Sequence, residues 1–554
     1  MSLFVKKSLA SLQREANESG EKTLRRILGP WSLVALGVGV IIGAGLFSIT
    51  GAVASGFTGP AITISFAIAA LGCCFAGLCY AEFASMIPVA GSAYTYSYAT
   101  MGELVAWIIG WDLVLEYCVA ATTVSISWSR YLVVFLEGFG IHLPHALTAC
   151  PWDGGIVNIP AFVIVVLMSL FLIRGTKGSS IFNGIIVFLK VSVVLIFVAL
   201  GWRYIQMENY TPYIPENTGK LGEFGFSGIL RGAAIVFFAF LGFDAVSTAA
   251  QETKNPRRDM PIGILMSLFI CTLLYILFAH VMTGVVHYTA FEGHNGIAPV
   301  AIAIEHMGHM DASGTIQPDY PWMNRAIVVA ILLGYCSVIM VTLLGQSRVF
   351  LSMSRDGLLP PLFSRIHPRF RTPARSNLLF MVLVGTLAAF VPAQVAGEMC
   401  SIGTLFAFTL VCAGVLIVRR TMPDAPRSFK TPLVPFVPIA GIITCLVMMV
   451  FLPADTWIRL VLWMLIGLDI YVSYGIKHSR LGQGQKHRQG TRLLDMTGIA
   501  LAVLCVITGL WHQQTVGWEA DKTLLVISFL FALTHLAFYI HRLSKEFTVT
   551  SDPQ

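Results

Sequence analysis

Three ionisable side chains lie inside long apolar stretches of this sequence, where a charge is costly. Lys190 falls in GIIVFLKVSVVLIFVALG, Glu116 falls in GWDLVLEY, and Asp244 directly follows FFAFLGF. A lysine in such a stretch could release and accept a proton, because burial disfavours the charged form of an amine. Glu116 could neutralise Lys190 in one conformational state or line a ligand pocket, and we slightly favour neutralisation. Asp244 suits a gate or a helix cap better than contact with a ligand.

Glycines and aromatic residues mark two points where a helix backbone is expected to be interrupted. The stretch GVGVIIGAGLF contains Gly37, Gly39, Gly43 and Gly45 within nine residues. Each glycine destabilises a helix interior by about 1 kcal/mol relative to alanine. Close packing of neighbouring helices is an alternative explanation for so many small residues. A second interruption is predicted at residues 238–243, immediately before Asp244.

The amino-acid composition indicates that these ionisable residues and helix breaks lie in membrane-spanning segments. The chain has 554 residues, of which 56% are hydrophobic and only 12% are charged, and its mean hydropathy is +0.76. Soluble domains carry about 25% charged residues. This composition excludes a soluble enzyme, a disordered protein and a secreted disulfide scaffold. The sequence therefore predicts a protein with many membrane-spanning segments.

Fourteen apolar segments, numbered here as spans 1 to 14, are long enough to be membrane helices. Only helices and closed barrels satisfy their backbone polar groups in lipid, and no alternating pattern typical of a barrel is present. The predicted fold class is therefore an all-α integral membrane protein. The segments lie near residues 32–57, 60–81, 103–130, 158–173, 182–202, 228–250, 262–287, 326–346, 376–392, 400–418, 435–452, 457–476, 494–511 and 523–541.

Lysine and arginine predict the orientation of the chain. If the N-terminus is cytoplasmic, the inner segments hold 28 of the 36 basic residues and the outer segments hold six. Short cytoplasmic loops carry such an excess of positive charge in membrane proteins. The first apolar run follows a charged stretch and does not fit a signal peptide. We therefore expect a multi-pass protein of the plasma (cell inner) membrane with both termini in the cytoplasm.

The two predicted breaks lie in spans 1 and 6, five spans apart, which is the spacing of two inverted five-helix repeats. In that architecture the N–H groups of one half-helix hold an anionic group, and unwound carbonyls hold a cationic one. A substrate that carries both groups, such as an amino acid, suits this pair. The predicted divisions are an N-terminal segment (1–30), the first repeat (31–203), the second repeat (204–420) with its outer loop (288–325), spans 11–12 (421–478), and spans 13–14 with the tail (479–554).

Several motifs in the same order resemble the amino acid–polyamine–organocation superfamily. Within it, the resemblance is greatest to bacterial members of the cationic amino acid transporter family, whose animal members have fourteen spans. It covers most of residues 24–475. The motifs are IIGAGLF at 41–47, YAEFASMIPVAGSAYTYSY at 80–98, GWDLVLEY at 110–117, FFAFLGFDAVSTAAQETKNPRRDMP at 237–261 and SMSRDGLLP at 352–360.

The resemblance implies which residues bind the substrate. Its carboxylate would meet the backbone of Ile42, Gly43, Ala44 and Gly45, where glycine leaves N–H groups unshielded. Its ammonium would meet carbonyls of Ile41, Phe238 and Leu241 in the two breaks, with Gly242 beside them. Phe238 would also close over the ligand, although core packing alone could explain it.

The resemblance also implies a role for Lys190, because related proton-coupled transporters have a lysine at this place in the fifth helix. A lysine in mid-membrane is expensive and indicates function. We expect Lys190, with Glu116 as the second candidate, to couple proton movement to transport, and Asp244 to form the gate. Glu82 is expected to form ion pairs with the basic loop between spans 8 and 9.

The predicted function is secondary active amino acid transport by alternating access, in the form of proton-coupled symport into the cell. The alternative is an amino acid exchanger that uses the same site without obligatory proton coupling. A membrane enzyme would need a nucleophile, paired acids or a metal cluster, and a sensor would need a folded soluble domain. We expect no catalytic residue, cofactor, metal or nucleic-acid partner. The expected partners are the amino acid, protons and the bilayer, and the sequence leaves a small accessory membrane subunit open. The sequence leaves a cationic or a small neutral side chain equally open.

Overall fold

The chain folds almost entirely into helices, as its composition predicts. The structure is a computed structural model that describes residues 2–17, 26–43, 45–292, 299–310, 316–481, 490–516 and 522–550. In these ranges, ten helical stretches are long and apolar enough to cross a membrane, and the first of them holds both span 1 and span 2. Three shorter apolar helices account for spans 4, 9 and 11. All fourteen predicted segments therefore fall on helices, and the predicted all-α membrane fold is confirmed.

Proline and glycine define many of the helix ends. Proline occupies the first turn of spans 1, 4, 7 and 8, where its missing N–H has no helical partner in any case. The uninterrupted spans are Ile62–Met86 (2), Glu103–Glu137 (3), Ile159–Arg174 (4), Thr176–Gly201 (5), Pro256–Val285 (7), Pro321–Arg355 (8), Ala374–Phe390 (9), Ala393–Thr421 (10), Phe436–Val450 (11), Gly490–Val516 (13) and Lys522–Thr550 (14). Span 12 runs over Ala454–Ile470 and continues through a π-turn to His478.

Spans 1 and 6 are interrupted where the glycine pattern predicts. Span 1 consists of Pro30–Ile41 and a second half that begins at Gly45 and continues to Thr58. Ile42 between the halves is extended, with φ −74° and ψ 100°. Span 6 consists of Gly225–Val236, a 3-10 turn over Phe237–Phe240, and Ala245–Thr248. Leu241, at the end of that turn, is also extended.

Smaller elements connect the spans. The helix Leu9–Asn17 precedes span 1, Ala93–Thr100 joins spans 2 and 3, and Pro299–Glu305 lies between spans 7 and 8. The strands Gly308–Met310 and Ile316–Pro318 pair antiparallel in the same connection. Span 7 packs against spans 1 and 2, span 3 packs against spans 8 and 10, and spans 13 and 14 pack on span 12. The breaks in spans 1 and 6 therefore lie inside a shell of continuous helices.

One end of the bundle, called the N-terminal face here, is closed by contacts between spans 1, 6 and 8. The N–H groups of Ile27 and Leu28 donate to the Glu252 carbonyl at 2.8 and 2.9 Å, and Lys254 N–H donates back to the Leu28 carbonyl at 2.9 Å. The buried guanidinium of Arg348 in span 8 donates through Nε to Glu252 Oε1 at 2.7 Å. These contacts join the start of span 1, the end of span 6 and span 8.

Glu82 forms ion pairs on this face with different partners from those predicted. Its carboxylate lies 2.9 Å from Arg419 Nη2 and 3.1 Å from Arg427 Nε. These arginines belong to the end of span 10 and the loop that follows it, so the prediction of partners in the loop between spans 8 and 9 was wrong. Span 2 packs against span 10, and this tertiary contact was not visible in the sequence. Superposition of spans 1–5 on spans 6–10 by rotation about an axis in the membrane plane remains a prediction.

Candidate functional site at the two helix breaks

The breaks in spans 1 and 6 lie against each other, and glycine makes this approach possible. A Cβ on Gly45 would overlap the backbone of Ala239 in span 6, and a Cβ on Gly242 would overlap the Val40 side chain in span 1. Gly242 also has a φ of +101°, which side chains rarely adopt. Each break therefore has one glycine at its contact with the other break.

A narrow cavity of about 20 Å³ lies between the two breaks. This volume holds about one water molecule, so a larger ligand requires the surrounding helices to move apart. Span 3 contributes Glu116, Ala120 and Val124, which share one helix face because they are four residues apart. The remaining lining residues come from the breaks, span 3 and span 8, and are Val40, Ile41, Gly43, Gly45, Tyr117, Phe238, Leu241, Gly242, Val338 and Thr342.

The break in span 1 presents hydrogen-bond donors to this cavity. The Gly43 carbonyl accepts from Leu46 and Phe47 N–H at 3.2 and 3.3 Å, which starts the second half-helix. Within the described residues, the N–H groups of Gly43 and Gly45 have no backbone acceptor. Free N–H groups at a helix N-terminus attract an anion, because the helix dipole adds to their partial positive charge. Ala44, which was also predicted to contact the substrate, lies outside the described residues.

Carbonyl groups from both breaks converge on Tyr275 in span 7. Its hydroxyl lies 2.6 Å from the Ile41 carbonyl oxygen and 2.8 Å from the Ala239 carbonyl oxygen. A hydroxyl has one proton to donate, so it can serve only one of the two carbonyls at a time. Tyr275 is buried and its ring contacts Phe66 and Phe240. Sequence reasoning missed this residue, which carries no motif and lies in an ordinary apolar stretch.

Lys190 is completely buried and donates to the backbone of the span 1 break. Its Nζ lies 2.5 Å from the Gly39 carbonyl oxygen and 2.8 Å from the Ile42 carbonyl oxygen. Its side chain passes Gly334 in span 8, where a Cβ would lie 3.4 Å from Lys190 Cδ. Span 5 begins at Thr176 rather than near residue 182, so Lys190 lies about 21 Å along the helix, too deep to reach the surface.

No carboxylate of the described residues pairs with Lys190. The Gly39 carbonyl also accepts from Ser337 Oγ in span 8 at 3.1 Å, and Ser337 contacts the Asn183 amide oxygen. Asn183 in turn donates to the Ala35 carbonyl at 3.0 Å. Spans 1, 5 and 8 are thus joined by a polar network around the lysine, which sequence reasoning did not find.

Glu116 lies in a different environment from Lys190. It lines the cavity, is 1% exposed, and its Oε2 has no hydrogen-bond partner among the described residues. Asp112 lies one helical turn earlier and is also buried. Neither of its carboxyl oxygens has a hydrogen-bond partner among the described residues. The predicted pair of Glu116 with Lys190 is not formed in this conformation, and the geometry favours the alternative in which Glu116 lines the pocket.

Asp244 connects span 6 to span 3. The Tyr117 hydroxyl donates to Asp244 Oδ2 at 2.5 Å, and both side chains are buried. Along the chain, Asp244 lies between the cavity residue Gly242 and Glu252 on the N-terminal face; its role as a gate stays a prediction.

Most of the predicted site residues therefore come together. Seven line the cavity, Ile42 faces Lys190 through its carbonyl, and Asp244 lies next to the cavity wall. The cavity residues of spans 3 and 8 that the sequence analysis did not identify carry no charge. Ala120 and Val124 could have been found only because they follow Glu116 at intervals of four residues on one helix face. Paired breaks, free N–H donors and a buried lysine among continuous helices are features typical of membrane transporters.

Comparison with known proteins agrees with this class. The family model described as amino acid permease matches residues 28–468. The chain is 45% identical to the branched-chain amino acid permease BcaP of Bacillus subtilis, over 87% of this chain and 99% of the relative. It is 41% identical to the methylthioribose transporter of the same organism, over 87% and 100%. It is 36% identical to the vacuolar cationic amino acid transporter 4 of Arabidopsis thaliana, over 76% and 68%.

The chain belongs to the amino acid permease family of the amino acid–polyamine–organocation superfamily. It is a multi-pass membrane protein of amino acid transport and not an enzyme.

Proposed function

We propose that this permease is a proton-coupled symporter that carries a neutral, aliphatic amino acid into the cell by alternating access. The observation that carries the proposal is the buried Lys190 ammonium, which rests on the carbonyls of Gly39 and Ile42 without a carboxylate partner among the described residues. The protonated amine donates charge-assisted hydrogen bonds to both carbonyls, and these bonds weaken when it gives up the proton and its charge. Protonation therefore changes the stability of the span 1 break.

The substrate occupies the cavity between the breaks once the helices move apart. Its carboxylate accepts from the free N–H groups of Gly43 and Gly45. Its ammonium donates to the carbonyls of Ile41, Phe238 and Leu241, each of which has two lone pairs. Phe238 closes over the ligand. Ile42 directly precedes these N–H donors in the chain, and protonated Lys190 donates to its carbonyl. The proton on Lys190 therefore stabilises the backbone conformation that binds the carboxylate.

The order of events follows from this geometry. Protonated Lys190 fixes the break and favours substrate binding from outside. Opening of the N-terminal face separates Tyr117 from Asp244 and separates Arg348 from Glu252. Loss of the proton then weakens the hydrogen bonds to the Gly39 and Ile42 carbonyls, loosens the carboxylate site and favours release inside.

The side-chain wall of the cavity supports an aliphatic substrate. Val40, Ala120, Val124 and Val338 present apolar groups, and Glu116 is the one acidic group among the described lining residues. A carboxyl group without a cationic partner in such a wall is most stable in its neutral form. A cationic substrate would instead need an ionised carboxylate.

An uptake panel in reconstituted vesicles tests the substrate class. We expect leucine, isoleucine and valine to compete with each other, and arginine and lysine to compete at least about tenfold less well, since a buried unpaired charge is strongly unfavourable. Decarboxylated analogues should not compete, because they lack the group that the N–H donors bind. Methylthioribose belongs in the panel because one relative carries that name. Transport of methylthioribose without any amino acid would contradict the proposed site.

We further propose that both termini are cytoplasmic and that the protein lies in the plasma membrane. The bias of 28 basic residues against six supports this orientation. The division into two inverted repeats, with spans 11–14 added outside them, is part of the same proposal, and the five-span separation of the breaks supports it. Exchange without protons remains the second candidate, since the binding site alone does not require coupling.

A further inference from the structure

A second cavity, of about 380 Å³, opens on the N-terminal face, far from the helix breaks. This volume is within the range of small-molecule sites. Its basic residues are Arg26, four residues before span 1, Lys254, two residues before span 7, and Arg257 and Arg258 in the first turn of span 7. Gln13 from the N-terminal helix and Asn255, the residue that precedes the first turn of span 7, complete its polar lining.

Three of the four cations of this cavity lack an acidic partner in the described part of the protein. No carboxylate among the described residues pairs with Lys254, Arg257 or Arg258. Of the acids near this cavity, Glu15 binds Lys7, Glu252 binds Arg348, and Asp259 is buried in the first turn of span 7. Three cationic side chains thus converge without an anionic partner in the described ranges.

These cations are exposed to solvent at a helix end that favours an anion. Arg257 and Arg258 lie in the first turn of span 7, a helix of 30 residues. The positive end of the helix dipole repels cations there and attracts anions. A bound anion would interact favourably with the helix end and with each cationic side chain.

We propose that this cavity is a binding site for a phosphate-bearing anion. Arginine forms paired hydrogen bonds with phosphate oxygens, and lysine adds a point charge. Phosphate could arrive as the headgroup of an anionic lipid, because basic pockets between membrane helices bind such headgroups. It could also arrive as a free phosphate compound. Both sources present the same chemistry to the cavity.

The bound anion would also hold the N-terminal face closed. Arg26 lies next to Ile27 and Leu28, which pair with Glu252 and Lys254 across the closed face. An anion held by Arg26 and by the start of span 7 links the same two segments a second time. A ligand that binds only the closed state stabilises that state and slows opening. This part of the inference rests on the proposed function, whereas binding itself does not.

The test uses the purified full-length permease and inorganic pyrophosphate as the probe. We expect pyrophosphate to raise the thermal unfolding temperature in detergent, and high salt to weaken this effect. Single variants Lys254→Gln, Arg257→Gln and Arg258→Gln should each raise the Kd about tenfold or more. The triple variant should lose the response. A matched control is Arg365→Gln with Arg375→Gln, which removes one exposed cation of the loop between spans 8 and 9 and one in the first turn of span 9. This variant should keep the response.

Nanodiscs distinguish the two sources of phosphate. If a lipid headgroup is the natural ligand, phosphatidylglycerol in phosphatidylcholine nanodiscs will stabilise the wild type but not the triple variant, and will reduce the pyrophosphate effect. If a free anion is the ligand, pyrophosphate will raise the unfolding temperature equally in nanodiscs with and without phosphatidylglycerol. Equal responses of wild type and triple variant to both probes would overturn the site. Binding without slower amino acid counterflow would overturn the claim that the anion holds the face closed.

Discussion

Lys190→Met is expected to abolish amino acid accumulation driven by an acid-outside gradient and to leave a folded protein. Methionine is similar in length but carries no proton, so the Ile42 carbonyl loses its side-chain donor and the Gly39 carbonyl keeps only Ser337. Each buried carbonyl left unpaired costs about 1–3 kcal/mol, which predicts a lower unfolding temperature without loss of the fold. Lys190→Arg should also fail, since a guanidinium does not deprotonate in proteins. Uptake into vesicles, with and without the imposed gradient, measures the effect.

Lys220→Met is the matched control for this variant. Lys220 is 77% exposed in a loop and lies 3.5 Å from Glu223, so its loss should leave gradient-driven uptake unchanged. If Lys190→Met still accumulates substrate in response to the gradient, the lysine is structural. Glu116 is then the next candidate for the proton carrier, and Glu116→Gln should remove the coupling instead.

Gly43→Val is expected to weaken substrate binding by about 10- to 150-fold. The valine side chain shields an N–H group that should hold the substrate carboxylate, and a hydrogen bond to a charged group contributes about 1.5–3 kcal/mol. Gly43 is a better position for this test than Gly45, where a Cβ would overlap the Ala239 backbone and disturb the contact between the breaks. A binding titration in detergent, with the unfolding temperature as a check of folding, gives the result.

Two further variants separate shielding from steric conflict. A Cβ on Gly43 would lie 2.9 Å from Val338 Cγ2 in span 8, so Val338→Ala makes room for it. The double variant Gly43→Val with Val338→Ala should remain defective if the N–H group is what matters. Gly56→Val in the same span faces open space and should bind normally. Full binding by Gly43→Val would show that the carboxylate site lies elsewhere.

The sequence was sufficient for the fold because membrane helices depend on local composition. Every span requires an apolar segment, and every segment could be read directly from the chain. The breaks were also predictable, because glycine density lowers helix stability locally. Helix ends were less accurate: span 3 extends to Glu137 and span 5 begins at Thr176, several residues beyond the apolar segments.

The site was only partly predictable, because its remaining members depend on packing between distant spans. Lys190 was evident as an isolated charge, but its acceptors depend on how span 5 lies against span 1. Tyr275 and Ser337 are ordinary residues in apolar stretches, and only the fold brings their hydroxyls to span 1. For the same reason, the partners of Glu82 were assigned to the wrong loop.

The central claim is that a proton moves with the amino acid, and the most direct measurement is proton flux in vesicles that contain the wild-type permease. A pH-sensitive dye inside the vesicles reports acidification when leucine is added outside, with no gradient imposed and with the membrane potential clamped. We predict acidification that saturates with leucine and is absent in Lys190→Met vesicles. Leucine entry by counterflow without any change of internal pH would contradict the account and identify the protein as an exchanger.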